Sequence, residues 1–135
     1  ISQILKVKSQ MDSGMFKPLQ MAAVEALRQG PEWFAELNAE YARRRVLAGN
    51  IFDQLGVEYD RTSTGMFLWG KVGKFSGEAL SDRILYDAGV FITPGFIFGK
   101  NGEDYVRISL CATPETLKNA VDRISKITDL ENTAI

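Results

Sequence analysis

TPGFIFGKNGEDYVRISL, residues 93–110, begins as a Gly-rich loop and ends as an alternating run. Successive side chains of a strand point to opposite faces, so Tyr105, Arg107 and Ser109 share one face and Val106, Ile108 and Leu110 the other. The apolar set is the core face, which turns Arg107 outward. From spacing alone two readings stay open. Arg107 is an ordinary exposed strand arginine, or it is a planar guanidinium on a rigid strand, placed for two-pronged recognition of a carboxylate. The glycines ahead of it allow close approach of backbone to a ligand.

Working outward, SGEALSDRILYDAG predicts a helix with Ser76 as its cap and Gly89 as its stop. TPETLKNAVDRISKITDL predicts another, with Thr113 as cap and Pro114 at the first helical position. Two further strands are expected, Gly65 to Val72 and around Val90 to Thr93, and the tail ENTAI is expected to fray. Toward the N-terminus the pattern becomes helical. Phe16, Leu19, Ala23 and Leu27 fall on one face, with Asp12 or Ser13 as cap, a start close to Ser13, and Gly30 as a left-handed stop. Asp12-Ser13-Gly14 reads most simply as a helix entry.

A second helix is expected from Pro31 to Gly56, with Phe34, Leu37, Tyr41, Ala48, Phe52 and Leu55 as its stripe. It is longer than a small domain needs for itself, so it is expected to pack against further protein. The segment ISQILKVKSQ has helical spacing but no capping residue ahead of Ile1, which reads as the middle of something longer. The fold class is α+β: a small, mainly antiparallel three-stranded sheet with helices on one face, preceded by long helices.

Composition removes several functions. Sixteen Lys+Arg against 17 Asp+Glu leave a formal charge of -1, with no electrostatic reason to expect nucleic acid or an anionic membrane. The chain has no histidine, so no histidine triad or imidazole metal site can form within it, and no metal is expected. Cys111 is the only cysteine and is read as core; a lone thiol is compatible with a reducing, cytoplasmic location.

Other motifs have plain explanations. GMFLWGKV, residues 65–72, fits most of a phosphate-loop pattern, but Met66 to Trp69 belong in a strand and Val72 replaces the hydroxyl that such a loop needs. Lys6 and Lys8 lie in an alternating polar segment and read as solvated lysines. Arg43-Arg44-Arg45 point about 100° apart on a helix, so they read as a solvated face and not one basic patch.

TPG-x-x-FG-x-x-G-x-x-YVRIS resembles the C-terminal signature of the class I/II aminotransferases, pyridoxal-phosphate enzymes of fold type I. KSQMDSGMFKPLQMAAVEAL resembles that family's interdomain helix entry, Tyr41 to Arg45 its long helix, and TGMFLWGKV its first small-domain strand. The resemblance implies an interdomain helical segment over 1–56 and a small C-terminal domain over 57–135. It implies that Arg107 binds the substrate α-carboxylate, that Phe67 is a secondary substrate-binding residue, and that Gly95, Phe96 and Gly99 belong to a loop lining the cleft.

The family's Schiff-base lysine and cofactor-holding residues lie in a large domain upstream, so no catalytic residue is expected here. Pyridoxal phosphate is expected in the intact enzyme and none on this chain alone, which is expected to be inactive. Amino acids, 2-oxo acids, the large domain and a second copy of the enzyme are the implied partners. A free-standing carboxylate-binding or regulatory module and a partner-binding fragment without a ligand are the alternatives.

Overall fold

The structure, a computed structural model, describes residues 1–11 and 14–127. Asp12 and Ser13 lie outside these residues, as does the tail ENTAI. Two compact units divide between Leu37 and Asn38.

The first unit holds α1 (Ser2–Met11), α2 (Lys17–Leu27) and the start of α3 (Pro31–Gln54). Helix α2 begins later than its apolar spacing predicts, with Phe16 as N-cap and no side-chain cap hydrogen bond. Pro18 is the reason: it lacks an N–H, so it is tolerated only in the first turn, where that donor would have no partner. Gly30 does not take the left-handed conformation expected of it. The residue before a proline is steered toward extended backbone, and Pro31 follows. Every described residue of this unit is exposed.

The second unit contains the remainder of α3, then β1 (Glu58–Tyr59), β2 (Phe67–Lys71), α4 (Gly77–Ala88), β3 (Thr93–Pro94), β4 (Tyr105–Ser109) and α5 (Pro114–Ser125). The sheet is antiparallel throughout, in the order β1-β2-β4-β3. It has four strands where three were expected, because two-residue β1 pairs with Gly70 and Lys71 at the edge. The strand expected around Val90 to Thr93 forms later, at Thr93–Pro94, opposite Arg107 and Val106.

One face of the sheet carries Leu68, Val106 and Ile108 into a core shared with Ala48, Ile51 and Phe52 of α3, Leu80 and Ile84 of α4, and Leu117 and Ile124 of α5. Alternation puts position 70 on this face too, and only glycine fits there, because a Cβ would run into Val57 and Phe52. Local signals fix both flanking helices. Ser76 accepts from the Ala79 N–H at 3.1 Å, Gly89 closes α4 at φ 60°, and Thr113 caps α5 through the Thr116 N–H at 3.2 Å.

Two further expectations fail for physical reasons. Cys111 is exposed and not core. Leu110 takes the last inward position, so the next residue turns out, and its N–H donates to Ser109 Oγ at 3.2 Å. The three arginines do not form one solvated face. Arg43 is exposed, whereas Arg44 and Arg45 are half-buried, because the helix lies against the sheet ends and two of its three directions meet protein.

Candidate substrate-binding site

The outward face of the sheet is built by the same alternation that fills the core. On β2 it presents Phe67, Trp69 and Lys71, and on β4 Tyr105, Arg107 and Ser109. Antiparallel register sets Phe67 opposite Ser109, Trp69 opposite Arg107 and Lys71 opposite Tyr105. The turn Gly95–Phe98, a single 3-10 turn after β3, reaches over this face and delivers Phe98.

Arg107 lies between two rings. Its guanidinium carbon is 4.2 Å from the Phe67 ring centroid and 4.1 Å from that of Phe98. Each such contact is worth about 0.5–1 kcal/mol when exposed and about 2 when desolvated. Nε is buried without a hydrogen-bond partner, and among the described residues no carboxylate pairs with the guanidinium. With both faces covered, the group offers its edge, where the terminal N–H donors form the planar fork that matches a carboxylate.

The rings continue beyond Phe98. Trp69 meets Phe98 edge-on at 5.8 Å and stacks on Tyr105 at 5.3 Å with 15° between planes. An open pocket of about 490 Å³ adjoins them, lined by Trp69, Tyr105, Phe98 and residues 99–102. The glycines of the loop pack against the chain itself. A Cβ on Gly95 would meet Trp69 at 2.8 Å and the Tyr105 carbonyl oxygen at 2.8 Å, and one on Gly102 would strike Gly95. Gly99 sits at φ 124°, where a side chain is strained.

The structure thus brings Phe67 and Arg107 together and places Gly95, Phe96 and Gly99 in and beside the adjoining turn; Phe96 is 42% exposed, and no ring contact joins it to Arg107. Sequence reasoning missed Phe98, Trp69 and the role of Tyr105. Trp69 and Tyr105 were within reach, since both lie on the alternation that points Phe67 and Arg107 outward.

A cofactor that forms a covalent bond to lysine needs an amine withdrawn from water. All eight lysines are described and all are exposed, Lys6 and Lys8 on α1 included. The described residues therefore do not fit pyridoxal phosphate. Residues 67–71 form a strand, which leaves no phosphate-cradling loop at the GMFLWGKV motif.

A family model described as aminotransferase class I and II matches residues 1–124. The chain belongs to this family. LL-diaminopimelate aminotransferase of Oleidesulfovibrio alaskensis is 37% identical over 123 residues, covering 90% of this chain and 32% of that protein. The same enzyme of Natranaerobius thermophilus is 35% identical over 125 residues, 92% of this chain and 32% of that one. Among solved structures, apo-BacF from Bacillus subtilis aligns with a TM-score of 0.76 at 32% identity, covering 91% of this chain and 34% of its own. An aromatic aminotransferase from Pyrococcus horikoshii aligns at 0.70 with 30% identity, 83% of this chain and 31% of its own. The chain thus spans about a third of the length of the curated relatives it matches. Among the described residues no helix is long and apolar enough to cross a membrane.

Proposed function

We propose that this chain is the small-domain portion of a pyridoxal-phosphate-dependent amino-acid aminotransferase and that Arg107 binds the α-carboxylate of its substrates. The single observation behind this role is a guanidinium held between two rings with its fork unpaired. Rings restrict the side chain before a ligand arrives, so less rotamer entropy is lost when the two charge-assisted bonds form. Phe67 and Phe98 cover the faces and leave the edge, which favours a flat, bidentate anion.

In this reading residues 1–56 are an interdomain helical segment and 57–135 the small domain. The cofactor is held by parts of the enzyme outside this chain, and these residues contribute binding and orientation of the substrate. Without those parts the chain is inactive. Substrates are amino acids and 2-oxo acids; the enzyme acts as a homodimer in the cytoplasm. LL-diaminopimelate, which names the relatives' substrate, is the first amino donor to test.

The test is Arg107→Ala in an intact enzyme carrying these residues. Loss of a bidentate charged contact costs about 2–5 kcal/mol, much of it from leaving the carboxylate unpaired. At about 1.4 kcal/mol per tenfold, kcat/KM for amino acids falls by about thirty- to several-thousand-fold. Arg107→Lys recovers only part, and amines without a carboxylate lose little. Equal losses for amines and amino acids would assign Arg107 a structural role.

A further inference from the structure

Arg44 and Arg45 project from α3 toward the end of the sheet that carries Phe67. Arg44 donates through Nη1 to the Leu110 carbonyl oxygen at 3.1 Å and through Nε to Glu40 at 2.8 Å. Arg45 donates through Nη2 to the Gly65 carbonyl oxygen at 2.8 Å. Between those two carbonyls runs the last bond joining the strands, from the Leu110 N–H to the Met66 carbonyl at 2.8 Å. Tyr41, one turn before Arg44, adds a contact of 3.6 Å from its hydroxyl to Met66 Sδ.

This end of the sheet matters to the site. Phe67 follows Met66 directly and faces Ser109, one position before Leu110. A slip of one residue between strands turns every side chain to the opposite face, so it would move Phe67 inward and remove one of the two rings that hold Arg107. The bonds from α3 oppose such a slip from outside the ladder. Helix α3 is a firm reference because Ala48, Ile51 and Phe52, its next turns, are buried in the core. Gly65 lies at φ 94°, a backbone state that glycine adopts freely, and its carbonyl meets Arg45 there. Arg45 Nε is buried without a partner, a cost that the helix bears while its terminal nitrogen reaches the strand.

We propose that Arg44 and Arg45 are positioning residues for the carboxylate site: through the Leu110 and Gly65 carbonyls they fix the register of β2 on β4 and so keep Phe67 over Arg107. They touch no substrate. The inference rests on the proposed role of Arg107 for its functional meaning, but the geometry is testable without any ligand.

The readout is the Nε–H resonance of Arg107 in nitrogen-15 spectra of the 135-residue chain. Protons held over aromatic faces resonate upfield, so a sandwiched Arg107 is displaced from ordinary arginines. Arg45→Met and Arg44→Met, which keep the aliphatic stem and lose the donor, are expected to remove most of the Phe67 part of that displacement and to shift the amides of β2 and β4, while the spectrum stays dispersed as in a folded chain. Arg45→Lys, able to donate once to a carbonyl, restores it. Arg43→Met, which also removes a positive charge and a Glu40 contact, leaves it unchanged.

The proposal is overturned if both Met variants leave the resonance in place, if Arg43→Met moves it equally, or if Arg45→Lys behaves as Arg45→Met. It is also overturned if the Met variants unfold the sheet, since the arginines would then serve general stability. In the intact enzyme Arg45→Met should raise KM for amino acids about five- to thirty-fold with kcat within about twofold, the pattern of lost substrate binding. Retained upfield resonance in Arg45→Lys together with unaltered kinetics of Arg107→Ala would refute the carboxylate role and leave the positioning intact.

Discussion

Leu19 in the first unit and Leu68 in the second are the same residue in regular structure, yet Leu19 is 60% exposed and Leu68 is 0% exposed. The contrast extends to the units as wholes. Residues 1–37 carry Ile4, Leu5, Phe16, Leu19, Met21 and Val24 in the open, whereas residues from 38 onward close a core around three helices and one face of a sheet. Helices α1 and α2 have 10 and 11 residues, shorter than isolated helices need to be stable in water. Exposed apolar side chains in such number suit a segment that meets further protein. The large domain of the proposed enzyme is the partner that would cover it. Amphipathic spacing reports a face to be buried, and the partner that buries it need not lie in the same stretch of chain.

Leu68→Ala attacks the second unit where it is fully packed, and removal of a buried leucine side chain costs about 2–5 kcal/mol. Urea denaturation should show this loss in full, while Leu19→Ala changes stability by no more than about 0.5 kcal/mol, as for surface positions. Equal effects would erase the distinction between the units. A smaller loss, about 1–3 kcal/mol, is expected for Gly77→Ala, since the new Cβ collides with the Tyr105 carbonyl oxygen at the start of β4. A fall in thermal midpoint accompanied by movement of the Trp69 fluorescence would locate the damage on the site face.

The smallest effect concerns acid. Hydrogen bonds from Arg44 and then Arg43 hold the Glu40 carboxyl below its ordinary value of 4.5. A carboxyl depressed on folding stabilises at pH above its unfolded value, and the contribution disappears as pH falls through the folded value. Glu40→Gln should therefore lower the stability of the second unit slightly at neutral pH, with variant and parent converging as pH falls through the folded value. Added salt should mask the difference, since the group is near solvent.

Much of the second unit was legible because its signals are local. Ser76 and Gly89 delimit α4, Thr113-Pro114 begins α5, and alternation in YVRISL separates the core residues from Arg107. Features that depend on distant packing were not legible. Edge strand β1 has only two residues and lies in a turn-like sequence, so its pairing with Gly70 and Lys71 leaves no periodic trace. Phe98 covers Arg107 because a 3-10 turn folds it over the sheet, which spacing along the chain does not encode. Arg44 and Arg45 read as solvated when the helix is treated alone; the sheet ends beside it give them carbonyls to bind. Leu19 and Leu27 of α2 stay exposed, and nothing in the spacing of that helix says what it faces.

The frame around Arg107 is formed by the second unit alone and stands ready before substrate or further protein arrives. Native-state hydrogen exchange on the 135-residue chain tests it most directly. The amides joining β2 to β4 should exchange only through global unfolding, with a free energy equal to that from denaturant, while those of α1 and α2 exchange at nearly unprotected rates. Amides beside Arg107 exchanging as fast as those of α1 would contradict the claim, because the rings and the strand that hold the guanidinium would then not be preformed.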